Sequence, residues 1–188
     1  QKTVLAAAME GKSALVIGGA GTIGSAFIKA LLRYGKLARL YVVDTNENGL
    51  TELVRDVRSS VDVHVPKEFI TYPVNFGDTV FEKILEREGP FEIIANFAAH
   101  KHVRSEKDIY SVEAMFDNNV FKAKRLLDVI AQRPPEHFFC VSTDKAANPV
   151  NLMGASKKLM EDVIMAYAHQ IPVRTARFAN VAFSNGSL

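Results

Sequence analysis

Short apolar runs rich in β-branched residues alternate along the whole chain with longer stretches of helical period. No other feature of the sequence constrains the fold as tightly. The runs are residues 13–17, 40–43, 68–74, 91–97, 138–141 and 173–178. Between them, apolar residues recur at helical spacing over 23–33, about 49–59, about 79–88, about 110–132 and about 152–169. Strands that are apolar throughout have both faces covered, and strands that each hand over to a helix run parallel. The prediction is an α/β fold, a doubly wound, Rossmann-like sheet of six parallel strands. A chain of 188 residues supplies one domain with a full core and not two.

Composition narrows the function classes. Lys and Arg number 23 against 21 Asp and Glu, a net charge of +2. That balance exerts no strong pull on nucleic acid or an acidic membrane surface. One cysteine, Cys140, excludes an internal disulfide and a cysteine-based zinc site, and it suits a reducing cytoplasm. Cys140 falls inside the fifth strand and reads as inert core. The apolar stretch 4–8 is interrupted by Glu10 and Lys12 before it reaches the core length of a signal peptide. No run approaches the roughly 18–20 apolar residues that span a bilayer.

The turn after the first strand is Gly18-Gly19-Ala20-Gly21-Thr22-Ile23-Gly24. Glycines at 18, 21 and 24 give G-x-x-G-x-x-G in the strand–turn–helix context that gives such a trio its meaning. Gly18 permits the tight turn, Gly21 lets backbone approach a pyrophosphate, and Gly24 lets the helix pack on the sheet. Thr22 and Ile23 open the helix whose free N–H groups and positive dipole end suit phosphate. Asp44 closes the second strand 20 residues after Gly24, where a carboxylate accepts from an adenosine ribose diol. Thr45 and Asn46 bring no arginine for a 2′-phosphate, so NAD is expected rather than NADP.

These segments resemble the extended short-chain dehydrogenase/reductase family, and within it the UDP-N-acetylglucosamine 4,6-dehydratase type of polysaccharide biosynthesis. The resemblance rests on residues 16–24, on Phe97-Ala98-Ala99-His100-Lys101-His102-Val103, and on Ser142-Thr143-Asp144-Lys145-Ala146-Ala147-Asn148-Pro149. It continues through Asn151-Leu152-Met153-Gly154-Ala155-Ser156-Lys157 and closes on Arg177-Phe178-Ala179-Asn180-Val181. The resemblance implies that Asn75 and Phe76 lie beside the adenine, where the family usually has Asp and an aliphatic residue. It implies that Ala98 and Ala99 line the nicotinamide side, that Asn119 supports the active site from the long helix, and that Lys157 bonds the nicotinamide ribose. Lys101, His102 and Asn180 are the implied substrate contacts, the last near the diphosphate of a UDP-sugar. Assembly as a homo-oligomer is implied as well.

A 4,6-dehydratase needs a base for the sugar 4-hydroxyl, a base at C5 and an acid for the departing 6-hydroxyl. Thr143, Asp144 and Lys145 follow the fifth strand at its C-terminal end, where ligands bind in open α/β sheets. Thr143 suits the 4-oxygen, Asp144 suits the acid if the site keeps it protonated, and Lys145 suits the C5 base if the site keeps it neutral. The family usually has tyrosine four residues before the ribose lysine, and here that residue is Met153, which carries no exchangeable proton. A subgroup within the resemblance also carries methionine, and there the Thr-Asp-Lys segment is the implied substitute. Other readings are a 4- or 5-epimerase of the same family and a non-catalytic binder of NAD and UDP-sugar. His100 and His102 alone do not make a metal site, so no metal is expected. Residues 1–178 read as the NAD-binding domain, and 179–188 as the truncated start of a substrate-binding lobe that would follow.

Overall fold

The computed structural model describes residues 2–98 and 108–179. Six strands form one sheet: β1 (Ser13–Ile17), β2 (Arg39–Val43), β3 (Glu68–Tyr72), β4 (Ile93–Asn96), β5 (His137–Thr143) and β6 (Val173–Phe178). Every pairing is parallel, and the order is β3-β2-β1-β4-β5-β6. The expected doubly wound α/β architecture is therefore present. The helices are α1 (Lys2–Met9), α2 (Thr22–Tyr34), α3 (Glu47–Ser59), α4 (Thr79–Glu88), α5 (Ile109–Phe116), α6 (Lys122–Ile130) and α7 (Leu152–Ala166).

The alternation of side chains along each strand splits the core into two layers. Leu15, Ile17, Tyr41, Val43, Ile94 and Phe138 join α4, α6 and α7 on one face. Ala14, Val16, Leu40, Val42 and Ile93 join α2 and α3 on the other. The central strands are buried on both faces, which is why they read as continuous apolar runs.

Two differences from the expected elements have physical causes. The stretch expected as one helix over 110–132 is α5 and α6 joined through a π-helical turn, Asp117–Phe121. That turn carries Asn119, which is buried and donates through Nδ2 to Ser156 Oγ on α7 at 3.0 Å. The N-terminal helix α1, not anticipated, packs Met9 against α2 and its end at Gly35.

The strand ends are staggered, and the stagger positions the site. Ile17 lies level with Val43 on one side and Asn96 on the other. Asn96 in turn pairs with Cys140, so β5 runs on through Val141, Ser142 and Thr143 beyond its neighbour. β6 accompanies it to the pair Thr143–Phe178.

Candidate functional site

The strand order reverses between β1 and β4, and a crevice opens outside their C-terminal ends. Gly18 turns the chain out of β1 with a positive φ of 77°. Its N–H donates to the Val43 carbonyl at 2.7 Å, so the turn is tied to β2. A Cβ on Gly18 would stand 2.6 Å from the Ala98 nitrogen, which shows how closely the two strand exits approach. Asn96, buried at the end of β4, fixes the second exit by accepting from the Ala98 N–H at 3.0 Å.

The remaining glycines divide by role. A Cβ on Gly24 would stand 2.2 Å from the Gly18 carbonyl oxygen, so its smallness lets α2 seat on the loop. Gly19, to which the sequence reading gave no role, is a packing glycine too: a Cβ there would meet Val42 Cγ1 at 2.2 Å. Gly21 is different. Among the described residues a Cβ there would meet only the Gly18 oxygen, at an ordinary 3.5 Å, and the residue is exposed. No packing contact among the described residues requires glycine at 21, whereas a pyrophosphate drawn onto the backbone would. Gly21 also caps α2 without any side-chain hydrogen bond. The opening turn of α2, with Thr22 exposed and Ile23 half-buried, fits an anion.

Asp44 is held from both sides. Its Oδ2 accepts from the Ala20 N–H of the glycine turn at 2.9 Å, and its Oδ1 accepts from the Asn46 N–H at 2.9 Å. Each carboxylate oxygen has a further lone pair, so a ribose diol can still be accepted. The donor set therefore fits a dinucleotide. Asn75 accepts from the Gly77 N–H at 3.0 Å through its Oδ1, which shapes the loop after β3. Phe76 beside it is buried, edge-on to Phe81. Three rings, Phe27 of α2, Phe97 after β4 and Phe139 of β5, pack at centroid distances of 5.0 to 6.2 Å and hold α2 on the sheet.

On the far side of the crevice stands the turn that ends β5. Thr143 caps a 3-10 turn, Asp144–Ala146. Its hydroxyl donates to Asp144 Oδ1 at 2.9 Å and accepts from the Lys145 N–H at 3.4 Å. Asp144 is exposed and Lys145 half-buried, so the described residues do not shield the acid from water. The N-terminus of α7 rests on this turn: a Cβ on Gly154 would stand 2.7 Å from the Lys145 carbonyl oxygen. Asn151 caps α7 by accepting from the Gly154 N–H at 2.8 Å.

Lys157 and Met153 share the inner face of α7, and both are buried, 4% and 3% exposed. The Lys157 ammonium meets the Val141 carbonyl at 3.4 Å and Met160 Sδ at 3.6 Å. Burial pushes it below the ordinary lysine range, opposed by Cys140 and Glu161. Cys140 is buried as expected, and desolvation pushes its thiol up to about 11. One turn along, Glu161 accepts a two-pronged contact from Arg177 of β6, Nε to Oε1 at 2.9 Å and NH2 to Oε2 at 2.7 Å. Arg177 holds the Glu161 carboxyl below its usual range against the opposing effect of burial.

The structure thus brings Gly18, Gly21, Thr22, Ile23, Gly24, Asp44 and Ala98 to one crevice and sets Thr143, Asp144 and Lys145 at the end of the overhanging β5. Ala99, His100, Lys101, His102 and Asn180 lie outside the described residues. Among the described residues no group of three or more histidine, cysteine or carboxylate side chains gathers as a metal site. Among them, too, no helix is long and apolar enough to cross a membrane.

Residues 14–188 match the sequence family described as polysaccharide biosynthesis protein. The chain is 34% identical over 183 residues to an uncharacterised membrane protein of Methanocaldococcus jannaschii, covering 94% of this chain and 51% of that one. It is 29% identical over 184 residues to a UDP-N-acetylglucosamine 4,6-dehydratase (inverting) of Campylobacter jejuni, covering 95% of this chain and 52% of the relative. Its fold superposes on a UDP-glucuronic acid 4-epimerase of Bacillus cereus, solved with UDP-glucuronic acid and NAD, at a TM-score of 0.70. That likeness is 20% identical and covers 88% of this chain and 55% of the other. The chain spans about half the length of the proteins it matches.

Proposed function

The chain belongs to the polysaccharide biosynthesis protein family, and from that premise we propose that it binds NAD and modifies a nucleotide sugar. The finer reading is a lyase, a 4,6-dehydratase acting on UDP-N-acetylglucosamine, in line with the activity for which the Campylobacter jejuni relative is named. The observation that carries it is the Thr143–Asp144–Lys145 turn, which overhangs the far side of a crevice where no packing contact among the described residues calls for the glycine at 21.

NAD, when bound, supplies a hydride acceptor that can later return the hydride. The chain's own residues do the rest. Gly18, Gly21, Gly24 and the start of α2 cradle the pyrophosphate, Asp44 takes the adenosine ribose diol, and the Asn75–Phe76 loop borders the adenine. Ala98 and Ala99 leave room for the nicotinamide, and Lys157 donates to its ribose. Thr143 bonds the sugar 4-hydroxyl and relays its proton to Asp144, to which it already donates. Lys145 removes the C5 proton and later returns it, and Asp144, protonated by that relay, protonates the leaving 6-hydroxyl. Met153 stands where the family's usual tyrosine would, and its thioether has no proton to move, so the acid–base work falls to the turn. Lys101, His102 and Asn180 contact the sugar and diphosphate. We place the protein in the cytoplasm as a homo-oligomer.

The test is incubation of the full chain with NAD and UDP-N-acetylglucosamine, followed by mass spectrometry. Dehydration gives a 4-keto-6-deoxy product lighter by one water. An isomer of unchanged mass assigns a 4- or 5-epimerase instead, and binding without turnover leaves a non-catalytic binder.

A further inference from the structure

Lys122 opens α6, and its side chain lies against the loop that follows β3. A Cβ on Gly77 would stand 2.5 Å from Lys122 Cδ and 2.6 Å from both Cγ and Cε. Three successive methylenes therefore run along the Gly77 backbone, and the lysine side chain is only 16% exposed. Gly77 does not have the left-handed φ that favours glycine. Space explains its missing side chain: a residue at 77 and the Lys122 stem compete for one volume.

The π-helical turn aims the stem. It closes with the Lys122 N–H donating to the Asp117 carbonyl, five residues back instead of four. One added residue turns the helix face by about 100°. α6 thus leaves the turn with Ala123, Leu126 and Leu127 in the core and Lys122 over the loop. The charged end is held less firmly. Asp117 Oδ2 lies 3.6 Å from the ammonium, beyond hydrogen-bond reach, while Asp117 Oδ1 takes Arg125 at 2.9 Å. Among the described residues it is packing of the stem, and not a hydrogen bond to the charge, that fixes Lys122.

The loop under the stem carries a polar group with an acceptor position to spare. Asn75 Oδ1 accepts from the Gly77 N–H at 3.0 Å, and the Asn75 carbonyl accepts from the Asp78 N–H at 3.0 Å. Phe76 between them is buried in the core. The direction of the Asn75 carboxamide therefore depends on where the Gly77 N–H stands, and the Lys122 stem bears on Gly77. The second lone pair of Oδ1 suits one donor, such as the 6-amino group of an adenine.

We propose that Lys122 is a positioning residue for the adenine end of the crevice: its methylene stem, lying where a side chain at 77 would otherwise stand, holds the Asn75–Gly77 turn so that the carboxamide can read the purine amino group. This rests on the NAD reading above and deepens it.

The experiment is calorimetric titration of the full chain with NAD and with nicotinamide hypoxanthine dinucleotide, whose purine has a carbonyl in place of the 6-amino group. Unmodified protein binds NAD about three- to tenfold more tightly, the worth of one hydrogen bond. Lys122→Ala releases the loop, so NAD affinity falls and the ratio of the two affinities drops to about two or below. Lys122→Met keeps a stem of similar length without the charge, and it keeps the ratio. Gly77→Ala drives the stem off the loop from the other side and lowers the ratio in the same way, which guards against misfolding of the first variant. In the double variant Gly77→Ala/Lys122→Ala the new Cβ meets no stem, so the paired change costs less NAD affinity than the two single changes together.

An unchanged ratio in folded Lys122→Ala overturns the proposal. So does a Lys122→Met that behaves like Lys122→Ala, which would credit the charge instead of the stem. Equal affinity of unmodified protein for the two dinucleotides overturns it too, because Asn75 then reads no amino group. Absence of NAD binding by unmodified protein overturns the cofactor reading and this proposal with it, whereas NAD binding with an unchanged ratio overturns this proposal alone.

Discussion

Gly18→Ala and Gly21→Ala separate the glycine that the fold needs from the glycine that a ligand needs. At Gly18 the backbone has a φ of 77°, which costs an L-residue about 1–2 kcal/mol. The new Cβ would also stand 2.6 Å from the Ala98 nitrogen and 2.8 Å from the Phe97 carbonyl carbon. Both are backbone atoms of the neighbouring strand exit, so they cannot rotate away, and overpacking of this kind costs about 1–3 kcal/mol. The reduced freedom of the unfolded chain returns about 0.4–1 kcal/mol. The net loss is about 3 kcal/mol, or a fall in Tm of about 6–12 °C for a chain of this size. At Gly21 the φ is −73°, open to any residue, and the nearest atom lies at 3.5 Å. Loss of a favourable cap residue there costs about 0.5–1 kcal/mol, so Tm falls by about 1–4 °C. NAD affinity falls at least tenfold, about 1.4 kcal/mol, because the methyl group occupies the approach to the pyrophosphate. Thermal unfolding by circular dichroism and calorimetric titration with NAD read the two effects. Equal losses of Tm in the two variants would refute the steric argument, and unchanged NAD affinity in Gly21→Ala would refute the fit of the crevice to a pyrophosphate.

The other expectations are more direct. Asp44→Ala narrows the preference for NAD over NADP in calorimetric titration, since the carboxylate that repels a 2′-phosphate is gone; an unchanged ratio refutes its role. Stability falls as the solution is acidified through the lowered Glu161 titration, because a carboxylate depressed in the folded state stabilises above its unfolded value of 4.5 and loses that contribution below its folded one. Urea unfolding between pH 7 and 3 then shows a shallower decline for Glu161→Gln than for unmodified protein. Asp144→Asn and Lys145→Ala each lower dehydration about 10²–10⁴-fold while Met153→Ala changes it far less, as read from product formation. Near-normal rates in the first two move the acid–base chemistry to other residues.

The sheet was legible in the sequence because central parallel strands such as Ala14–Ile17 and Tyr41–Val43 must be apolar on both faces. The positions of the glycine turn after β1 and of Asp44 after β2 were legible because they follow from spacing alone. The π-helical turn was not, since Asp117-Asn118-Asn119-Val120-Phe121 contains no glycine or proline. It coincides with a tertiary bond, Asn119 to Ser156, between residues 37 apart. The contact of Glu161 with Arg177 was hidden for the same reason: two charged residues on separate elements carry no local signal. Gly19 was passed over because its neighbour, Val42, comes from another strand. The burial of Lys157 was also invisible, because a lysine one helical turn after a methionine reads equally well at a surface.

The overhang of β5 makes the site adjustable in fixed steps. Each residue of a strand adds about 3.3 Å and turns the next side chain to the opposite face. Three residues of β5 rise past the Cys140–Asn96 pair, so Thr143 stands about 10 Å above the floor of the crevice. A one-residue deletion here would not merely lower the turn: it would swap which of Ser142 and Thr143 faces α7 and which faces the opposite layer. A two-residue change would preserve the facing and alter the height by about 7 Å, roughly the breadth of a sugar ring. Strand length is therefore a ruler with paired graduations, on which only an even step changes the depth of the crevice and keeps the facing of the side chains at its rim.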